Sequence, residues 1–320
     1  MGAYTIRRLL LFIPTLLLAT MLVFSLFWIV PGDAALVILI GDQGDEDSFQ
    51  MADYEKLREE LGLDRPIHIQ YADWLWAVLR GDLGISLWYK IPVIDELKTR
   101  FPVSVELAVI SIVMSFVLAV PLGVISAVKQ DTGIDYASRV FALLGVALPT
   151  FWIGILMVFG LAFVFNWLPP LGYATLWEDP FTNLTQLMLP AVALAFNELA
   201  FTARITRSAM LEVLREDYVR TARAKGLRET LVVGRHALKN ALLPVITITG
   251  YQFGRLLGGV IIIETIFGVP GIGSLVVDAI IHRDFVMMQA IILLTAAVVL
   301  LLNLFIDLFY GFLDPRIRYE

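Results

Sequence analysis

Long apolar runs separated by shorter polar segments dominate the chain. A helix needs roughly 20 apolar residues to cross about 30 Å of hydrocarbon at about 1.5 Å per residue. Six runs reach that length and predict an all-α membrane protein with six spans: residues 9–30, 103–128, 140–165, 184–203, 244–267 and 286–310. The first is too long for a secretory leader, so we expect a retained helix. The fourth is the least regular, because Pro190, Asn197 and Glu198 interrupt it.

The composition agrees with a membrane protein. Hydrophobic residues make up 58% of the chain and charged residues 17%, and the mean hydropathy is +0.79. Cysteine is absent, which excludes disulfides and thiolate ligands. The sequence contains no phosphate-binding loop, no zinc-protease motif and no serine-hydrolase motif. We therefore expect a chain that is not an enzyme and that binds no cofactor or metal of its own.

The distribution of lysine and arginine predicts the orientation. The net charge is -6, but basic residues concentrate in the segments that we place inside. Those segments hold 15 lysines and arginines, against 8 in the segments that we place outside. Because short cytoplasmic loops carry an excess of these residues, both termini are predicted to be cytoplasmic.

Residues 31–102 form a long polar segment that we interpret as a small extracytoplasmic domain. It has 14 acidic and 7 basic residues, a local net charge of -7. Helical periodicity predicts helices at 52–61 and 68–79. Trp74, Trp76 and Trp88 lie either at the membrane interface or in a small core of this domain. The acidic surface suits contact with a delivery protein or a cationic ligand, or it only keeps the domain soluble.

A basic segment at 204–243 contains a short predicted helix at 216–226. Acidic Glu216 and Asp217 begin it and basic Arg223 and Lys225 end it, which complements the helix dipole. Gly226 is placed to terminate it in a left-handed conformation. We also expect an ion pair between Glu216 and Arg220, four residues apart. A narrow apolar stripe is predicted at Val219 and Ala222. The helix is either a docking surface for a partner or a positive-inside loop near lipid headgroups.

This segment resembles the coupling loop of dipeptide and oligopeptide ABC importer permeases. The likeness lies in residues 218–226 and 235–244, and further blocks resemble the B-type subunit of that family. These blocks are residues 61–66, 81–86, 149–154, 270–273 and 313–318. The resemblance implies a type I ABC importer permease fold and a multi-pass protein of a bacterial or archaeal inner membrane.

The resemblance also implies the partners. They are a second homologous permease, two cytosolic ATPases that bind ATP and Mg²⁺, an extracytoplasmic substrate-binding protein and membrane lipid, with no role for nucleic acid. The residues implied in ATPase coupling are Tyr218, Arg220, Thr221, Ala222, Arg223, Lys225 and Gly226. Arg220 stands where the wider superfamily has glutamate, and the family's closing Ile-x-Leu-Pro has no clear match. These departures favour Gly226 and the helix over any single contact.

Polar residues within the spans are the next candidates. Arg255 and Glu264, nine residues apart in the fifth predicted span, are expected to line the translocation path, where Arg255 meets a peptide carboxylate. Alternatively, they form internal pairs that hold the helices together. Asn303 and Asp307 are four residues apart and predict helix packing. The last set, predicted to allow close helix approach, is Gly123, Gly145, Gly154 and Gly160.

The predicted organisation is a first helix at 1–30, an outer domain at 31–102, a permease core at 103–310 containing the coupling region 204–243, and a tail at 311–320. An ion-driven secondary transporter is the competing class, but it predicts an internal repeat that the sequence lacks. Within the permease class the substrate is a dipeptide or oligopeptide, or alternatively glutathione, a nickel complex or a sugar.

Overall fold

The structure is a computed structural model that describes residues 2–29, 51–60 and 63–313. These residues form helices and connecting turns, with one isolated antiparallel bridge between Ile85 and Pro92. The helices are α1 (Gly2–Ile29), α2 (Met51–Glu60), α3 (Ile67–Leu79), α4 (Val93–Val128), α5 (Gly133–Ala147), α6 (Thr150–Phe165), α7 (Pro180–Val213), α8 (Asp217–Ala224), α9 (Glu229–Gly259), α10 (Ile261–Phe267), α11 (Ile272–Ile281) and α12 (Phe285–Leu313). The first part of the predicted outer domain, residues 61–62 of the motif at 61–66, and the tail from residue 314 lie outside the described residues.

The membrane-spanning helices agree with the predicted all-α architecture. Five helices (α1, α4, α7, α9 and α12) are long and apolar enough to cross a membrane, or up to seven spans if each of two bent pairs is counted. The six predicted runs correspond to these five and to the pair α5–α6. The second bent pair, α10–α11, completes the set.

The third predicted span is not one straight helix. It is divided between α5 and α6, which meet at 99°. Pro149 explains the break, because a proline disfavours helical backbone in the residue before it. Leu148 is accordingly extended, with φ -84° and ψ 129°. The prediction of a continuous helix over 140–165 is therefore wrong.

The fifth predicted span is also shorter than expected. α9 ends at Gly259, after a second glycine at Gly258, and the chain turns through Val260 into α10. Glycine is a poor helix former, which explains why the helix stops here. The α10–α11 pair then bends by 87°. Arg255 and Glu264 consequently belong to different helices, which corrects their expected placement on one helix.

The fourth predicted span is the centre of the fold. α7 continues through Pro190 and buries more than half of its most apolar stretch. It packs against α4, α5, α6, α9 and α10. The main core lies at this junction, where Leu107, Leu187, Leu194 and Leu257 are buried together. Asn197 and Glu198, which interrupt its apolar pattern, both make polar contacts within the protein.

Three of the four glycines predicted at helix contacts are confirmed. A Cβ on Gly123 would lie 2.6 Å from the backbone oxygen of Ala203, and one on Gly145 would lie 2.4 Å from Ala200. A Cβ on Gly154 would lie 3.1 Å from the side chain of Ile263. The prediction is wrong for Gly160, which has no neighbour within 4 Å of the corresponding position.

The two helices predicted in the outer segment are present as α2 and α3. Trp74 of α3 packs on Phe24 of α1 with ring centroids 5.6 Å apart. Trp88 stacks on His282 at 3.8 Å, whereas Trp76 is 58% exposed. The tryptophans therefore divide between internal packing and the surface. We call the end of the molecule that carries α3 and the α11–α12 turn the outer end, after its predicted orientation.

Candidate functional site

The short helix predicted in the basic segment is α8. Glu216 precedes it with extended backbone, Asp217 lies in its first turn and Arg223 in its last. Lys225 follows as the terminating residue, and Gly226 has φ +75°. A side chain at Gly226 would have no neighbour within 4 Å, so backbone conformation and not crowding favours glycine here. The predicted helix and its stop signal are confirmed.

One face of α8 is anchored in the protein. Val219 and Ala222 are buried and pack with Val232, Val213 and Leu214. The apolar stripe predicted from the sequence is therefore confirmed. Ala222 faces this small core and not the surface. The exposed face of α8 is therefore formed by other residues of the helix.

Polar contacts tie both ends of α8 to α9. Asn240 donates a hydrogen bond to the hydroxyl of Tyr218 at 2.7 Å. Arg223 donates two hydrogen bonds to the carboxylate of Glu229, at 2.8 and 3.2 Å. We call these contacts the α8 tethers. They connect α8 directly to the start of a membrane-spanning helix.

The predicted ion pair between Glu216 and Arg220 does not form. Arg220 lies 3.6 Å from Asp217 instead. Glu216 precedes the helix in extended conformation, so the spacing of four residues does not place it on the same helical face. Arg220 remains 72% exposed at its side chain, and Thr221 and Lys225 are exposed beside it.

Sequence reasoning missed a second site, a buried carboxylate between α4, α5 and α7. Asp135 of α5 is fully buried and accepts hydrogen bonds from Arg207 at 2.7 and 2.9 Å. Ser126 of α4 donates to it at 2.6 Å, and Arg139 forms a salt bridge with it. This cluster joins α4, α5 and α7. The sequence signal was one of two aspartates, Asp131 and Asp135, between two apolar runs, which does not reveal its partners.

Arg255 forms an ion pair with a second residue that interrupts the fourth predicted span. Its guanidinium lies 2.8 Å from Glu198 of α7. Glu198 is 5% exposed at its side chain, whereas Arg255 is 64% exposed. The pair joins α7 and α9, as the internal-pair interpretation expects. The exposed donors of Arg255 also leave it accessible, as the path interpretation expects.

Glu264 is placed differently from its prediction as a path residue. It is fully buried at the α10–α11 bend and accepts hydrogen bonds from Ser104 at 2.5 Å and from the backbone of Gly273 and Ser274 at 2.7 and 3.1 Å. A Cβ on Gly271 would lie 2.2 Å from its carboxylate. Glu264 therefore holds the bend together and has no exposed surface for a substrate, which corrects the expectation.

Asp307 confirms the expectation of helix packing. Arg8 of α1 lies 2.7 Å from its carboxylate, and Tyr251 of α9 donates a hydrogen bond to it at 2.8 Å. Asn303 lines the same small cleft between α1 and α12. Within the described residues no group of three metal-ligating side chains occurs.

The fold and the polar contacts define a multi-span helical membrane protein with an exposed helix tied to its membrane core. Two family profiles match the chain. The first describes the N-terminal part of the membrane component of binding-protein-dependent transport systems, and it matches residues 1–108. The other, for the binding-protein-dependent transport system inner membrane component, matches residues 119–319. The chain belongs to this family, and is thus an inner-membrane, multi-pass transport subunit of an ABC system.

Relatives of the same length share much of the sequence. The chain is 40% identical to the dipeptide transport system permease protein DppB of Alkalihalophilus pseudofirmus, with all of both chains covered. It is also 40% identical to a probable peptide ABC transporter permease protein of Sinorhizobium fredii, again over both full lengths. The identity to DppB of Escherichia coli is 38%, with 99% of each chain covered.

Solved structures support the fold independently. An inward-facing structure of the MetNI methionine ABC transporter aligns with a TM-score of 0.56 and 17% identity, over 68% of this chain and 96% of the other. An amino acid ABC transporter crystallised with histidines aligns with a TM-score of 0.51 and 15% identity, over 69% and 94%. The predicted type I importer permease fold is confirmed.

Proposed function

We propose that this chain pairs with a second, homologous permease and forms with it the path by which dipeptides or oligopeptides enter the cell. Two cytosolic ATPases, which bind ATP and Mg²⁺, drive the cycle, and an extracytoplasmic binding protein delivers the peptide. The full-length likeness to dipeptide and peptide permeases supports the peptide substrate. Both termini are cytoplasmic in this proposal.

The arrangement of α8 carries the coupling part of the proposal. α8 presents Arg220, Thr221 and Lys225 to the surface while its buried face and the α8 tethers hold it to α9. A helix held in this way transmits a displacement to the span behind it. We infer that its exposed face sits in a cleft of an ATPase, together with Tyr218, Arg223 and Gly226.

Arg255 is the proposed contact for the peptide carboxylate. Its ion pair with Glu198 uses one of its terminal nitrogens, and the side chain stays 64% exposed. A guanidinium has five N–H donors, so it can serve a structural carboxylate and a ligand together. Glu264 is left out of the path because it is enclosed.

The complete importer with its binding protein tests this function. The ligand carried by the purified binding protein is identified by mass spectrometry, and its uptake into vesicles is measured with and without the ATPases. We expect a peptide, and uptake only with the ATPases and ATP. Uptake by the isolated chain under an ion gradient alone would refute the coupling, and a sugar or a nickel complex as ligand would refute the peptide substrate.

A further inference from the structure

A cavity of about 890 Å³ opens beside the first half of α4. Its other walls come from the segment between α6 and α7, and from Pro270 at the α10–α11 bend. The charged side chains that line it all come from α4: Glu96, Lys98, Arg100 and Glu106. The cavity lies at the outer end of the molecule, where the proposed binding protein delivers its cargo.

Three of these four charges are compensated by neighbours on α4. Arg100 lies 3.2 Å from Glu96, and Lys98 lies 3.8 Å from Asp95. Glu106 has no salt bridge within the described part of the chain. The cavity therefore contains one carboxylate whose charge is not neutralised by an adjacent cation.

The two oxygens of Glu106 differ in their surroundings. Oε2 accepts a hydrogen bond from the hydroxyl of Tyr173 at 2.5 Å. Oε1 is covered and has no hydrogen-bond partner among the described residues. A covered carboxylate oxygen without a partner is energetically costly, so a positive charge in the adjoining cavity would stabilise Glu106. Burial raises the pKa of Tyr173, and the hydrogen bond to Glu106 adds to the effect, so the hydroxyl remains a donor.

Aromatic rings lie beside this carboxylate. Tyr173 and Trp177 line the same cavity, and Trp177 is 91% exposed. Aromatic faces attract cations, most strongly the indole of tryptophan. A carboxylate without a neighbouring cation, together with an accessible indole in the same cavity, suits an ammonium group, which carries a positive charge.

The depth of Glu106 supports a ligand-binding role. It lies three residues, about 5 Å along the helix, inside the predicted start of the hydrocarbon at residue 103. Ionisable residues at such depth are expensive, and they face bundle interiors or water-filled cavities where they serve transport. The residues that follow Glu106 and Arg255 in the sequence are Leu107 and Leu256, and both are buried in the same hydrophobic core cluster.

We propose that this cavity is an entry subsite for the amino terminus of the transported peptide, with the uncompensated charge of Glu106 attracting the peptide ammonium group. This inference rests on the proposed function, since it requires a peptide with a free amino terminus. The indole of Trp177 covers the bound cation. Glu106 and Arg255 then recognise opposite termini of the substrate.

Uptake by variants of the complete importer tests this site. Glu106→Gln removes the charge and keeps the shape, and Glu178→Gln removes a carboxylate of the neighbouring segment that does not line the cavity. In vesicles with saturating, trialanine-loaded binding protein, we expect E106Q to lower trialanine uptake about tenfold, because the attraction between the carboxylate charge and the peptide ammonium group is lost. E178Q should retain wild-type uptake.

Photolabelling gives a second measurement that does not depend on the variants folding. Trialanine analogues carry a diazirine at the first or the last residue, and labelled fragments of the wild-type complex are identified by mass spectrometry. We expect the first analogue, and not the second, to label residues 101–109 or 173–177. Equal labelling by both analogues would overturn the site, as would full uptake by an assembled E106Q importer. If the wild-type importer takes up no peptide, the proposed function fails as well, and the two failures are thus distinguishable.

Discussion

Three acidic residues within or beside the apolar runs have partners on other helices. Glu198 pairs with Arg255, Asp135 with Arg207, and Glu264 receives hydrogen bonds at a bend. An unpaired charge in an apolar environment costs several kcal/mol, which explains why these residues are paired across helices. The sequence locates such residues but not their partners, since the partners lie on other helices.

Gly226 provides a prediction at the residue scale. Gly226→Val should leave the protein in the membrane and assembled, because the position has open space. The left-handed backbone costs a residue with a side chain about 1–2 kcal/mol, so the end of α8 should rearrange. We expect ATP hydrolysis to continue while uptake falls at least severalfold in vesicles.

The control for this prediction is Gly160→Val, which also has open space but lies within a regular helix. It should transport normally. Normal uptake by the Gly226→Val importer would contradict the role assigned to this helix end.

Two roles are open to Arg255, an ion pair that holds α7 to α9 and a contact to the peptide carboxylate, and variants can distinguish them. Arg255→Ala leaves Glu198 buried without its cation, so we expect poor assembly with the partner subunits as well as lost uptake. Adding Glu198→Gln removes the orphaned charge and should restore assembly, measured by co-purification of the ATPases. Uptake should remain at least tenfold low if Arg255 binds the peptide carboxylate. Recovery of uptake in the double variant would show a structural role alone.

At the scale of elements, local signals predicted α8 well. Its charged ends, its apolar stripe and Gly226 are all short-range features, and each is confirmed. The breaks after α5 and α9 were missed, because hydropathy measures apolar length and does not register backbone direction. Pro149 was the available signal for the first break, and the paired glycines at 258–259 for the second.

The α8 tethers provide a prediction for an element. Tyr218→Phe with Glu229→Gln removes the hydrogen bond from Asn240 to Tyr218 and the charge of the Arg223–Glu229 pair, while Val219 and Ala222 stay buried. Exposed pairs of this kind contribute only about 0.2–1 kcal/mol, so the protein should remain folded. We expect uptake per ATP hydrolysed to fall severalfold. Asp73→Asn, which breaks the exposed pair with Arg65, is the matched control and should change nothing. An unchanged transport stoichiometry would contradict coupling through these contacts.

At the scale of the whole molecule, lysine and arginine counts predict an orientation that labelling can check directly. The chain has no cysteine, so single introduced thiols give no background. Gln130→Cys in the turn between α4 and α5, on the predicted inner side, should react with a membrane-impermeant thiol reagent only after cells are permeabilised. Asp73→Cys on α3 should react in intact cells, because α3 is predicted to lie outside the membrane. Both positions are exposed in the structure, so the reagent can reach each thiol once it is on the correct side. The reverse pattern would invert the proposed topology.

One helix connects the two ends of this molecule. α4 is a single element of 36 residues, about 54 Å long, that continues through Pro121. Glu106 at the outer cavity and Ser126 at the Asp135 cluster are twenty residues apart on it, about 30 Å. Because no connecting loop lies between them, a displacement of α4 at the outer cavity would also move the Asp135 cluster. A substrate that shifts α4 at the outer end would thus alter the contacts of Asp135 at the opposite end of the span.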